Sequence, residues 1–209
     1  GSADVPSLSA GSGRLTVRQI GGSGRYSVAA RIDAQTLQAT IQANAAAHGL
    51  IGGLAALPDI GAIVIDATLD GPRNAVATQL VASAGPLRAR VQGTLDLVHN
   101  AADLAVAATA PAMTPRPDIS WRDVNMDAHV QGPFQRPQLA GHVQIDALKA
   151  AGAGIARLTA TLSGDPGIAH LQAALNGLTL PGQDPTLLAA APVSLYATAQ
   201  LAAPGPPVT

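Results

Sequence analysis

Acidic residues, histidines and glycine-rich turns are the features of this sequence that come closest to a catalytic or metal-binding pattern. Asp123, Asn125 and Asp127 match the opening of a calcium-binding loop. However, Ala128 occupies the position where such a loop needs glycine, and Phe134 stands in place of the closing carboxylate. The sharp turn and the bidentate ligand are both missing. On a strand, the three polar side chains would instead form a solvent-facing row.

The other chemical motifs are also incomplete. Residues 152–157 begin like a dinucleotide-binding loop but end in arginine, outside any alternation of strands and helices. The five histidines are dispersed at positions 48, 99, 129, 142 and 170, and none forms a helical metal pair. No serine occupies a G-x-S-x-G turn. Paired aspartates could hydrolyse glycosides, but sugar sites usually also present aromatic platforms, which this chain lacks. We therefore predict no enzyme, no catalytic residue, no metal and no cofactor.

Composition favours β structure and excludes several classes of protein. Hydrophobic residues make up 47% of the chain and aromatic residues only 2%, so burial must come from Ala, Val, Ile and Leu. All thirteen acidic residues are Asp, and Lys149 is the single lysine, so two common helix formers are nearly missing. A net charge of −1 without a basic run argues against nucleic acid as a partner. The absence of cysteine excludes disulfides, and no stretch reaches the roughly 20 apolar residues of a membrane helix.

The chain divides into five predicted segments. Gly1-Ser2 matches the remnant of a cleaved tag, so we expect the natural protein to extend upstream. The segments are a tag scar and flexible lead at 1–13, a β-hairpin at 14–33, a helical segment at 34–57, a curved β-sheet repeat region at 58–202, and the start of a proline-rich linker at 203–209. The helix is predicted because Leu37 and Ile41 are four residues apart, Asp33 could cap its start and Pro58 would end it.

Apolar and polar residues alternate with period two through most of residues 58–202, a pattern typical of antiparallel sheets with one dry face. Repeated Gly-Pro turns separate the alternating runs, and interior glycines such as Gly93 and Gly141 indicate bends. The fold class predicted is mainly β, an elongated and strongly curved antiparallel sheet with one helical segment. The side chains predicted to line its apolar face are Ile63, Ile65, Leu69, Val91, Leu95, Leu97, Val124, Met126, Val143, Ile145, Leu171 and Leu195.

Several stretches resemble the TamB family of the AsmA-like superfamily. They are residues 57–72, residues 85–97 and residues 180–195, together with residues 130–141, where a Gly-Pro pair, a spacer and the pattern P-x-L-x-G introduce a strand. Together they cover about residues 57–200. Each motif is short and degenerate, and their order along the chain is the more specific signal. The predicted helix matches no motif of the family.

The resemblance implies an interior fragment of a long periplasmic protein of a Gram-negative bacterium, anchored in the inner membrane by a segment outside this chain. It also implies a taco-shaped sheet with an apolar concave face. The family handles phospholipid acyl chains or nascent outer-membrane protein strands. It works with an outer-membrane partner of the TamA type, which would bind outside this fragment.

Two functions of different class stay open from the sequence. An uncovered apolar face would gain about 0.8 kcal/mol for each acyl methylene that it buries, without needing specific polar contacts. This favours a segment that binds lipid or protein strands between the two membranes. If the helix and a second layer covered the same face, the chain would instead be a structural or adhesin-like β-repeat of a secreted protein.

Overall fold

The computed structural model describes residues 2–7, 10–18, 24–46, 61–165, 168–184 and 191–200. Its thirteen strands are hydrogen-bonded to one another in chain order within one sheet. The strands are β1 (Ser2–Ser7), β2 (Ala10–Arg18), β3 (Arg25–Ile32), β4 (Thr36–Ala45), β5 (Ile63–Pro72), β6 (Val76–Ala84), β7 (Leu87–Asp96), β8 (Ala101–Arg116), β9 (Ile119–Pro133), β10 (Gln138–Ala150), β11 (Ala153–Asp165), β12 (Ile168–Thr179) and β13 (Val193–Gln200).

The chain forms two compact units, Gly1–Leu104 and Ala105–Thr209. In the first unit, β1 to β7 pair antiparallel, each with the next strand along the chain. In the second unit, β9 to β13 pair in the same way. The prediction of a mainly β, antiparallel fold is therefore confirmed.

The predicted helical segment at 34–57 is wrong. Residues Thr36–Ala45 form β4, paired with β3 on one side and β5 on the other, and no residue that the structure describes is helical. Residues 47–60 lie outside the described residues. The spacing of four between Leu37 and Ile41 fits a strand as well as a helix, because four is a multiple of the strand period. Their neighbours settle the matter, since Gln38, Thr40 and Gln42 alternate with them.

Asp33 stabilises a turn between β3 and β4 rather than the start of a helix. Its Oδ1 accepts hydrogen bonds from the backbone N–H groups of Gln35 (2.8 Å) and Thr36 (2.6 Å). Its Oδ2 accepts one from the Thr36 hydroxyl at 2.6 Å. A carboxylate that accepts from the next two or three residues is common to turns and helix caps, so the sequence signal was real but its context was misread.

The ends of the chain also differ from expectation or lie outside the description. The lead at 1–13 was expected to be loose because it is rich in Gly, Ser and Ala, yet it contains β1 and the first residues of β2. Pairing with the next strand supplies the order that composition alone would not. The proposed linker at 203–209 lies outside the described residues.

Candidate functional site: an apolar sheet face

In the first unit, the strand register brings apolar side chains from six neighbouring strands onto one face. Directly paired residues of an antiparallel ladder point to the same side, so each pair extends the face by one strand. One such row runs from Leu15 through Val28 and Ile41 to Ala67, Leu80 and Val91. The next row runs from Val17 through Tyr26 and Ala43 to Ile65, Ala82 and Ala89.

The opposite face of the same strands is polar. It carries residues such as Arg14, Gln42, Asp66, Gln79 and Arg90, each adjacent in sequence to a member of the apolar rows. Because strand side chains alternate, a slip of one residue would exchange the two faces. The apolar pattern therefore agrees with the observed register.

The second unit repeats this arrangement over five strands. One row joins Met126, Val143, Ala160, Ala173 and Leu195, and the next joins Val124, Ile145, Leu158, Leu175 and Val193. A third row joins Ala128, Gly141, Leu162, Leu171 and Ala197. None of these side chains can donate or accept a conventional hydrogen bond. A ligand on this face would gain contact area but no polar partner.

Few of these side chains are buried. Among the described residues, the buried apolar ones are Ala43, Ala45, Ile63, Ala67, Val76, Ala102, Ala110 and Ala169, six of which are alanines. By contrast, Leu15 and Leu195 are each 56% exposed, and Leu171 is 43% exposed. Most other members of the rows are half-buried. A two-layer domain buries such a face, so this one is only partly covered by its own unit.

The predicted lining residues divide between the two units. Ile63, Ile65, Leu69, Val91 and Leu95 share the apolar face of the first unit. Val124, Met126, Val143, Ile145, Leu171 and Leu195 share that of the second. Leu97 belongs to the turn after β7, where its backbone N–H donates to the Arg73 carbonyl at 2.7 Å, so the ladder places it on neither face.

The prediction missed the contribution of β4 to the apolar face. Leu37, Ala39, Ile41 and Ala43 lie on this face, paired with β3 and β5. The signal was present in the sequence as four apolar residues at spacing two, and the helix assignment hid it. Leu158, Leu162 and Leu175 were also missed, although each follows the same alternation.

On β10, β11 and β12 the apolar alternation shifts by one residue at a common position. The row of Ile145, Leu158 and Leu175 is followed by a row of Leu148, Ile155 and Leu178, so the apolar spacing there is three rather than two. We call the intervening residues Ala147, Ala156 and Gly177 the phase-shift row. Ala147 and Gly177 have positive φ angles of 51° and 62°. Such residues act like a bulge, which lets the apolar residues beyond them return to the same side.

A buried carboxylate lies next to the phase-shift row. Asp146 is 9% exposed and is the buried charged residue among those described. Arg157 donates from Nε to Asp146 Oδ1 at 2.8 Å, and Gln144 donates from Nε2 to Oδ2 at 3.2 Å. Nη2 of Arg122 lies 3.9 Å from Oδ2. The hydrogen bond from Arg157 lowers the pKa of Asp146, so the carboxylate is charged at neutral pH.

The polar face of the second unit has a shallow cavity of about 290 Å³. It is lined by His129, Gln131, Gln138, Leu139, Ala140, Ser163, Gly164 and His170. The described part of the chain contains no group of three or more side chains placed to hold a metal ion.

Comparison of the chain with protein-family models, curated proteins and solved structures finds no significant match. Over the described ranges, the structure contains no helix with the length and hydropathy needed to span a bilayer.

Proposed function

We propose that this chain is a segment of a TamB-like bridge protein that binds phospholipid acyl chains on its apolar sheet face. The proposal rests on the rows of aliphatic side chains that the strand register aligns on one face of each unit. Each unit has a continuous face of aliphatic side chains that its own residues leave partly exposed. A contiguous apolar face that is exposed in this way is typical of an interaction site.

An acyl chain suits this face better than a protein strand does. A strand binds mainly by pairing its backbone with the edge of a sheet, and it brings N–H and C=O groups that need partners. The rows through Val143 and Ile145 offer no side-chain donor or acceptor. An acyl chain has no polar group to satisfy and gains about 0.8 kcal/mol for each methylene removed from water.

The proposal includes a curved sheet whose concave side is the apolar face. The phase-shift row supports them, because bulges raise local twist and bend the strands that carry them. In the first unit, Gly93 also has a positive φ, of 150°, although the register of β6 and β7 is continuous there. Together with the motif order of residues 57–200, these features favour a groove that carries lipid through the periplasm between the inner and outer membranes.

The test replaces exposed leucines of the apolar face by aspartate. Leu195 and Leu171 are 56% and 43% exposed, so either substitution leaves the fold largely intact. Covering the exposed half of a leucine with an acyl chain is worth about 1 kcal/mol, and dehydrating a new carboxylate would cost several more. We expect lipid that co-purifies with the 209-residue chain, measured by mass spectrometry, to fall at least about tenfold in each variant.

Ser194→Asp is the matched control, because Ser194 neighbours Leu195 on β13 but pairs with Ala174 on the polar face. It should retain lipid. If Leu195→Asp and Ser194→Asp retain equal lipid, the apolar face is not the binding site. If the wild-type chain carries no lipid at all, the alternative of a structural or adhesin-like repeat is favoured.

A further inference from the structure

Positive charge is concentrated near the start of the chain. Residues 5–32 contain four arginines and no acidic residue. The rest of the chain carries eight basic and thirteen acidic side chains, so the near-neutral total hides a marked asymmetry. Asymmetry of this kind points to an interaction with an anionic partner.

The four arginines lie on the polar face of β2 and β3. Arg14 and Arg18 are on β2, and Arg25 and Arg31 are on β3. The register pairs Arg18 with Arg25, and it pairs Arg14 and Arg31 with the small residues Ala29 and Ser12. At about 3.3 Å per residue, the guanidinium groups are spread along a strip roughly 20 Å long. All four residues are exposed.

Of the two strands that flank the strip, β4 offers these arginines no counter-charge, and β1 places one acidic residue, Asp4, opposite Ser12 in the row of Arg31. On β4, the residues paired with Arg25, Ala29 and Arg31 are Asn44, Thr40 and Gln38, which are neutral. The nearest acidic residue after β3 is Asp33, whose pKa is lowered by hydrogen bonds from Thr36 and Gln35 and, to a smaller extent, by the charge of Arg31.

The direct pairing of Arg18 with Arg25 places two positive charges opposite each other on the sheet. Like charges placed directly opposite each other on a sheet are destabilising. Arg25 pairs with the neutral Asn44 on β4, and Asp4 on β1 lies opposite Ser12 at the other end of β2, so the described ladder places no acidic residue beside this pair. An external anion would remove the repulsion.

We infer that the four-arginine strip, formed by Arg14, Arg18, Arg25 and Arg31, binds the surface of an anionic phospholipid membrane. The guanidinium groups are spread along two strands rather than directed at one point, which fits an extended sheet of phosphate headgroups better than a single small anion. Single-stranded nucleic acid fits less well, because Tyr26 pairs with Val17 on the apolar face and leaves no ring for stacking on the polar face of β2 and β3. The strip lies on the face opposite the proposed acyl-chain site, and the inference does not depend on that site.

The experiment measures flotation of the full 209-residue chain with vesicles of phosphatidylcholine, with or without phosphatidylglycerol. The quantity of interest is the ratio of the two partition coefficients, because binding through the apolar face contributes to both. Each arginine at an anionic surface is worth roughly a fivefold gain in partitioning at moderate salt. We expect the quadruple Arg→Gln variant of the strip to lower the ratio by at least about a hundredfold. High salt should lower the wild-type ratio in the same direction.

The matched control removes the same charge elsewhere, by Arg→Gln at Arg88, Arg90, Arg116 and Arg136, all of which are exposed. It should keep most of the wild-type ratio, and a quadruple Arg→Lys variant of the strip should keep nearly all of it. An equal fall of the partition ratio in the strip variant and in the control would show an effect of net charge alone and would overturn the inference. A wild-type ratio near one at low salt would overturn it as well. Loss of co-purified lipid in Leu195→Asp tests the acyl-chain site separately.

Discussion

Replacing Gly177 by alanine should destabilise the second unit through two separable effects. Gly177 has a φ of 62°, a left-handed conformation that costs an L-residue about 1–2 kcal/mol. A Cβ added there would lie 2.7 Å from the Cβ of Ala156 on the neighbouring strand, well inside van der Waals contact. Because that atom is held close to the backbone of β11, neither strand can relieve the contact by a rotamer change.

Together, the conformational cost and the steric contact lower the free energy of unfolding by a measurable amount. Overpacking of this kind costs about 1–3 kcal/mol, and the reduced flexibility of the unfolded chain returns about 0.4–1 kcal/mol. We therefore expect Gly177→Ala to lower the free energy of unfolding by about 2–4 kcal/mol. The assay is urea unfolding followed by the fluorescence of Trp121, the single tryptophan of the chain. Trp121 lies in the same unit, where its Nε1 donates to the Pro111 carbonyl at 3.1 Å.

Two further variants separate the effects. Gly182 has a φ of 74°, and a Cβ added there would meet nothing within 4 Å, so Gly182→Ala should show the conformational cost alone. In the double variant Gly177→Ala with Ala156→Gly, the contact is removed and the conformational cost stays. A steric contribution at Gly177 is refuted if Gly177→Ala costs no more free energy of unfolding than Gly182→Ala, or if the double variant is no more stable than Gly177→Ala.

Three other predictions concern charge, the β3–β4 turn and register. The pKa of Asp146 is lowered by its hydrogen bond from Arg157, so the pair stabilises the fold above the ordinary value of 3.8 and loses this effect as pH falls further. Acid unfolding of Asp146→Asn should therefore be less steep with pH than that of the wild type. Asp33→Ala should speed hydrogen exchange of the two backbone amides that it accepts from, with exchange elsewhere unchanged. Since the chain has no cysteine, Thr68→Cys on the polar face should react quickly with a thiol reagent and Ala67→Cys, at 5% exposure, slowly; equal rates would contradict the register.

The sequence alone determined that the chain is mainly β and which residues of each strand share a side. Alternation in runs such as Ile63 to Leu69 is a local property, because successive strand residues point to opposite faces whatever their partners are. Local spacing was also the reason that a helix was wrongly predicted where the chain forms β4. There the spacing of Leu37 and Ile41 satisfied both periods. The alternating residues Gln38, Thr40 and Gln42 favour a strand, and the pairing of Ile41 with Val28 and Ala67 shows it.

Only the tertiary structure decided how the strands align across the sheet. In the sequence, the spacing of three between Ile145 and Leu148 is a local interruption of the pattern, as is the spacing between Ile155 and Leu158. The register shows that these interruptions fall side by side and form the phase-shift row. The contact of Asp146 with Arg157, eleven residues away, depends on the same register. Inter-strand hydrogen bonds join residues that are distant in sequence, so which rows meet is set by the complete ladder rather than by any one strand.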